Sequence, residues 1–173
     1  AVIVEPVSGS AGVIVPPQNY LQRLRQICNE HNILLIFDEV ITGFARMGAT
    51  FAAQTFGVTP DILNVAKGLT NGAIPMGAVI SSSVLYDAFM AVEQAEHMIE
   101  LPHGYTYSAH PAACAAALAA LDILQDDNMV ARSNALAPVL EDSLHGLRGS
   151  KHITDIRNFG LAGALQLAPR DGD

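Results

Sequence analysis

A chain of 173 residues, half of them hydrophobic and 15% charged, is long enough to bury the core of one domain. That balance excludes a disordered tail and a coiled coil. A net charge of −8, with the arginines scattered, excludes the basic stripe of a protein that binds nucleic acid or anionic lipid. Cys28 and Cys114 stand far apart with no CxxC pair or Cys/His cluster, so they read as two buried thiols in a reducing, cytoplasmic setting.

In chain order, "AVIVE" (1–5) is apolar and β-branched and predicts a buried strand. It has no basic n-region, so it is not read as a signal peptide. "PVSGSAGVIVPP" (6–17) is a turn-rich loop. Tyr20, Leu21, Leu24, Ile27 and Cys28 then recur at helical spacing. "ILLIFDEV" (33–40) is a continuous apolar strand that ends in two acids. "GATFAAQTFG" reads as a short helix, "PDILNVAK" as a strand or extended run, and "IPMGAVISS" (74–82) as a strand. "SSVLYDAFMAV" reads as a helix with serine capping potential at its start.

Residues 92–109 read as a loop. "HPAACAAALAALDILQ" predicts a helix with Pro111 in its first turn. It is too short, and carries Asp122, to be a membrane span. Residues 128–147 predict a further helix, kinked or broken at Pro138. "GLAGALQLAP" predicts a final strand. The chain begins inside one strand-like run and stops just after another, so it is expected to be a segment of a longer polypeptide.

Apolar strands alternating with helices predict an α/β domain: a mostly parallel sheet with helices on both faces. No linker or repeat divides it. Ligands of such sheets bind at the carboxyl ends of the strands, which directs attention to Glu5, Asp38, Glu39 and Lys67.

Asp38 has two readings: a carboxylate satisfied by loop N–H groups, or a charge held to pair with a cationic ligand group. Lys67, one of two lysines, either snorkels to solvent or is a desolvated amine that attacks a carbonyl. An acid and a nucleophilic amine on neighbouring strand ends are the pair that pyridoxal phosphate requires. Glu39, next to Asp38, points to the opposite face and is expected to make a structural hydrogen bond or ion pair. His31, His97, His103, His145 and His152 lack metal-ligand spacing, and His110 reads as a capping or packing residue at a helix start.

"LLIFDEVITGFARMG" followed by "TPDILNVAKGLTNGAIPMGAVI", with "VEPVSGSAGV" before and "HGYTYSAHPAACAAALAAL" after, closely resembles class III, pyridoxal phosphate-dependent aminotransferases. The nearest resemblance is to the ω-amino acid (β-alanine):pyruvate branch. It implies a fold type I large domain, of which residues 1–173 would be the central part. In that family the phosphate cup and ring-stacking aromatic lie before this segment, and the substrate-carboxylate arginine lies after it.

Carried over position by position, Lys67 matches the lysine that forms the Schiff base with the cofactor. Asp38 matches the acid on the pyridine nitrogen, and Val40 the apolar residue against the ring. Thr106 matches the residue that reaches the phosphate of the partner subunit's cofactor, and Glu5 an acid near the cofactor. The implied activity moves an amino group from an ω-amino acid or amine to pyruvate, in a homodimer or homotetramer with shared sites, with no metal, nucleic acid or membrane involved. Ile41 and Ser10 stand where ornithine- and GABA-type members often carry Gln and Glu, and speak for the pyruvate branch. The other readings are a different class III enzyme (an ornithine, GABA or diamine transaminase, or an aminomutase) and an inactive scaffold. A nucleotide-binding domain would need GxGxxG or GxxxxGK[ST], and neither occurs.

Overall fold

The computed structural model describes residues 1–93, 101 and 103–170, so His97 and part of the expected 92–109 loop lie outside the described residues. The main sheet has the order β1 (Val2–Val4), β2 (Leu35–Asp38), β3 (Ile62–Val65), β4 (Ala78–Ser81). The first three strands are parallel, and β4 runs antiparallel to β3. The connections explain the directions. Helix α1 (Tyr20–Glu30) carries the chain from β1 back to the start of β2, and α2 (Ala52–Phe56) lies between β2 and β3. Between β3 and β4 the chain makes a single 3₁₀ turn and no crossover helix, and β4 returns antiparallel.

Alternation along β2 sorts its side chains. Leu35 and Phe37 are fully buried and meet Leu21 and Cys28 of α1, together with Ala53 and Val58. Each such burial contributes about 1.5–3 kcal/mol. Ile36 and Asp38 point the other way. They share that face with their register partners Ile3, Asn64 and, one strand further on, Val79. Ile3 is 58% and Val79 69% exposed, so this face of the sheet stands open in the chain described. Cys28 is buried as expected, Cys114 is only partly so, and both thiols are free.

The remaining elements are α3 (Ser83–Met90), α4 (Pro111–Asp126), α5 (Met129–His145) and a hairpin of β5 (Ile153–Phe159) and β6 (Ala162–Leu167). Three details differ from expectation. Ser82 occupies the N-cap of α3 but its hydroxyl caps nothing; its carbonyl accepts the N–H groups of Leu85 and Tyr86 instead. Helix α5 runs unbroken through Pro138. The proline removes one backbone bond, but the turn before it is pinned: Ser133 Oγ donates to the Ala45 carbonyl at 2.6 Å and Asn134 Nδ2 to the Gly48 carbonyl at 2.8 Å. Strand β5 was not expected. Among the described residues, no helix is long and apolar enough to cross a membrane.

One ion pair ties α1 to the entry of β3. Arg25 donates to Asp61 Oδ2 at 2.7 Å, and the same oxygen accepts the Leu35 N–H at 2.7 Å. Burial alone would raise the Asp61 carboxyl, but the Arg25 and Leu35 hydrogen bonds outweigh it and hold the group below its usual 3.8. A carboxyl depressed on folding stabilises above its unfolded value, and that contribution fades as pH falls through the folded value. Arg25→Ala is therefore expected to cost about 1–3 kcal/mol at neutral pH. In melting curves recorded across pH, the gap between variant and parent should begin to narrow as the pH drops below about 3.8 and close only below the lower folded value.

Candidate active site

The site is built where β2 and β3 end side by side. Asp38 closes β2, and its register partner is Asn64, three residues before Lys67. The acid and the lysine therefore stand at adjacent carboxyl ends of parallel strands. Asp38 is half-buried, and its Oδ1 accepts the Val40 N–H at 3.1 Å, which turns the chain out of the sheet. Lys67 starts a single 3₁₀ turn, Lys67–Leu69, with φ of +48°. That left-handed conformation is uncommon for a residue with a side chain. Two bonds back to its own carbonyl, from Thr70 N–H and Gly72 N–H, hold the loop that imposes it. Thr70, buried, adds a hydroxyl bond of 2.6 Å to the Ile74 carbonyl.

The next residue has to be glycine: a Cβ on Gly68 would lie 2.8 Å from Phe44 Cβ. Phe44 thus rests directly on the backbone beside Lys67. A similar approach brings the first loop in, since a Cβ on Gly9 would lie 2.7 Å from Ile41 Cγ2. Glu5 holds that loop from below, accepting the Gly9 N–H at 2.9 Å.

Lys67 and Val40 line one cleft of about 1050 Å³, whose walls come from the first loop, the 40–46 turn, α4, α5 and the β6 end of the hairpin. Ser10 and Ile41 also line it. So do two cations that sequence reasoning passed over, Arg46 and Arg132, while no carboxylate among the described residues does. Both arginines sit where an ordinary surface arginine would, one in a turn and one on a helix, so nothing in their sequence context marks them. The cleft is electropositive by composition, suited to a ligand with phosphate or carboxylate groups.

Asp38, Glu5 and Thr106 do not line this cleft. Asp38 belongs to the open face of the sheet. Thr106 is exposed in the turn before α4, flanked by Tyr105 and Tyr107, each 79% exposed. His110 precedes α4 without a side-chain cap and packs edge-on against Tyr107. The desolvated amine that the nucleophilic reading of Lys67 called for is not provided by this chain, in which Lys67 is exposed. Nothing from α1–α5 closes over it, because the elements around Lys67 support its backbone rather than its side chain. Glu39 is fully buried and hydrogen-bonded on the face opposite Asp38, as alternation predicted.

Comparison with known proteins identifies the family. The class III aminotransferase family matches residues 1–172. The β-alanine–pyruvate aminotransferase of Pseudomonas aeruginosa is 68% identical over all 173 residues, which cover 39% of that protein. The ω-amino acid–pyruvate aminotransferase of Pseudomonas putida is 63% identical over 173 residues and is covered to 38%. Among solved structures, a PLP-bound amine transaminase from an uncultivated Pseudomonas species superposes with a TM-score of 0.88 at 46% identity, over 96% of this chain and 37% of that one. The chain therefore spans about two fifths of the length of these relatives. With the family matched over residues 1–172 and a relative 68% identical over the full 173 residues, the chain belongs to the class III aminotransferase family.

Proposed function

We propose that this chain is the central, cofactor-binding segment of a transaminase that moves an amino group from a β-alanine-type ω-amino acid or amine to pyruvate, yielding alanine and an aldehyde or semialdehyde. The observation that carries the reading is the register of β2 on β3, which sets Asp38 and Lys67 on adjacent strand ends beside a cleft whose described lining includes Arg46 and Arg132 and no carboxylate. The identity to β-alanine– and ω-amino acid–pyruvate aminotransferases supports the choice of substrates.

The residues present fit pyridoxal 5′-phosphate. An amine is available at Lys67 for its aldehyde, and a half-buried carboxyl at Asp38 for its ring nitrogen. Val40 supplies an apolar surface for the ring, and Thr106 an exposed hydroxyl for a phosphate in a neighbouring subunit. Glu5, committed to the Gly9 N–H, would act by shaping the first loop. The bound cofactor supplies an electron sink for the substrate carbon.

Lys67 Nζ then has two tasks: it holds the cofactor between turnovers, and it takes the proton from the amine-bearing carbon of the substrate. Asp38 holds a proton on the ring nitrogen through its negative charge. Arg46 and Arg132 would draw anionic substrates toward the cleft. A homodimer or homotetramer with shared sites, and a cytoplasmic location, belong to the same proposal.

The test is product analysis on the whole protein supplied with pyridoxal phosphate and β-alanine. Alanine should form only when pyruvate is present. Amine migration without any keto acid would point to an aminomutase, and turnover with 2-oxoglutarate but not pyruvate to the ornithine- or GABA-type enzymes.

A further inference from the structure

We propose that Glu39 is a positioning residue for this site: its buried carboxylate clamps the turn that carries Asp38 and Val40 on one side and Phe44, the support of the Lys67 turn, on the other. The inference rests on the transaminase reading above.

Glu39 is held through every polar group it owns. Its N–H donates to the Asn64 carbonyl at 2.8 Å, joining the end of β2 to β3, and its carbonyl accepts the Gly43 N–H at 3.0 Å. Its Oε2 accepts the Thr42 hydroxyl at 2.9 Å and the Ala52 N–H at 2.6 Å, and its Oε1 accepts the Ala53 N–H at 2.7 Å. Glu39 and Thr42 are both fully buried. The carboxylate thus satisfies two orphan N–H groups at the start of α2 while fastening the 39–43 turn to that helix.

The turn has functional residues at both ends. Asp38 and Val40 flank Glu39 and are bonded to each other through Oδ1 and the Val40 N–H. Phe44 follows Gly43, its N–H bonded to the Thr50 carbonyl at 2.6 Å, and it packs on Gly68 beside Lys67. A shift of the turn therefore moves the acid, the ring-facing valine and the support of the lysine together.

All three side-chain partners are donors, so the site requires acceptors on both oxygens. Glutamine cannot meet that requirement in either amide orientation. One flip sets its NH₂ against the Ala53 N–H, the other against the Ala52 N–H.

The experiment uses the whole protein with pyridoxal 5′-phosphate as the probe. It measures the Kd for the cofactor and the pH midpoint of the bound cofactor's visible absorption band. Glu39→Gln should raise Kd at least tenfold and displace the midpoint. Gln54→Ala is the structural control: it removes the acceptor for the Phe51 N–H at the same helix start and takes no hydrogen bond from the 39–43 turn, and it should leave both quantities at parental values. Thr42→Val should shift them in the direction of Glu39→Gln, and Thr42→Ser should restore them. That second pair carries the test if Glu39→Gln fails to fold.

Parental Kd and midpoint in Glu39→Gln, or in Thr42→Val, would overturn the positioning role. So would equal shifts in Gln54→Ala. A parent protein that takes up no cofactor would instead overturn the transaminase reading itself.

Discussion

Borohydride reduction of the whole protein loaded with pyridoxal phosphate should leave a phosphopyridoxyl mass on the peptide bearing Lys67 and none on the peptide bearing Lys151. These are the only two lysines in the segment, and both are exposed, so accessibility does not favour one over the other. What separates them is placement. Lys151 lies in the turn before the hairpin, while Lys67 lines the cleft and follows the strand next to Asp38.

Lys67→Ala should lower transamination by about 10³-fold or more, because it removes the amine that both attaches the cofactor and carries the proton. Lys67→Arg refines the result. It keeps a positive charge in the cleft but cannot lose it to become a nucleophile. If the amine acts chemically, Arg should be as inactive as Ala while retaining some cofactor through charge alone. An arginine variant with parental turnover, or a label on Lys151, would sink the assignment.

The parts of this architecture legible in the sequence are those fixed by local pattern. β2 shows as a run of apolar residues because Leu35 and Phe37 must fill the core under α1 and Ile36 lies between them. Alternation alone then puts Glu39 opposite Asp38. The two-stranded hairpin was half missed for an equally physical reason. β5, "ITDIRNF", pairs among the described residues only with β6, and a register shift between Ile153 and Asp155 breaks the two-residue period that would announce it.

Long-range contacts left no local trace either. That α5 survives Pro138 depends on Ser133 and Asn134 reaching the 45–48 turn, 88 and 86 residues away. The three donors on Glu39 come from a residue in its own turn and from a helix start more than ten residues on, so its hydrogen bonding was foreseeable but its partners were not. The exposure of Lys67 is set by how the loop after β3 leaves the sheet, and no spacing of residues encodes it.

Asp38→Asn separates charge from shape at the other half of the pair. Asparagine can keep the oxygen that accepts the Val40 N–H, so the turn out of β2 should hold. What it loses is the negative charge, and with it the means of keeping a proton on the ring nitrogen of the cofactor. Pre-organised charge of this kind stabilises the developing carbanion, and its loss should cost about 10²–10³-fold in kcat. Cofactor attachment at Lys67, read by the same reduction and mapping, should persist.

A combined loss of attachment and turnover would mean that Asp38 serves mainly to build the site, as a carboxylate satisfied by loop N–H groups would. Parental kcat would mean that the charge is not used at all. Attachment retained with turnover lost is the result that the geometry favours, because the only side-chain hydrogen bond Asp38 makes among the described residues is one that asparagine can also make.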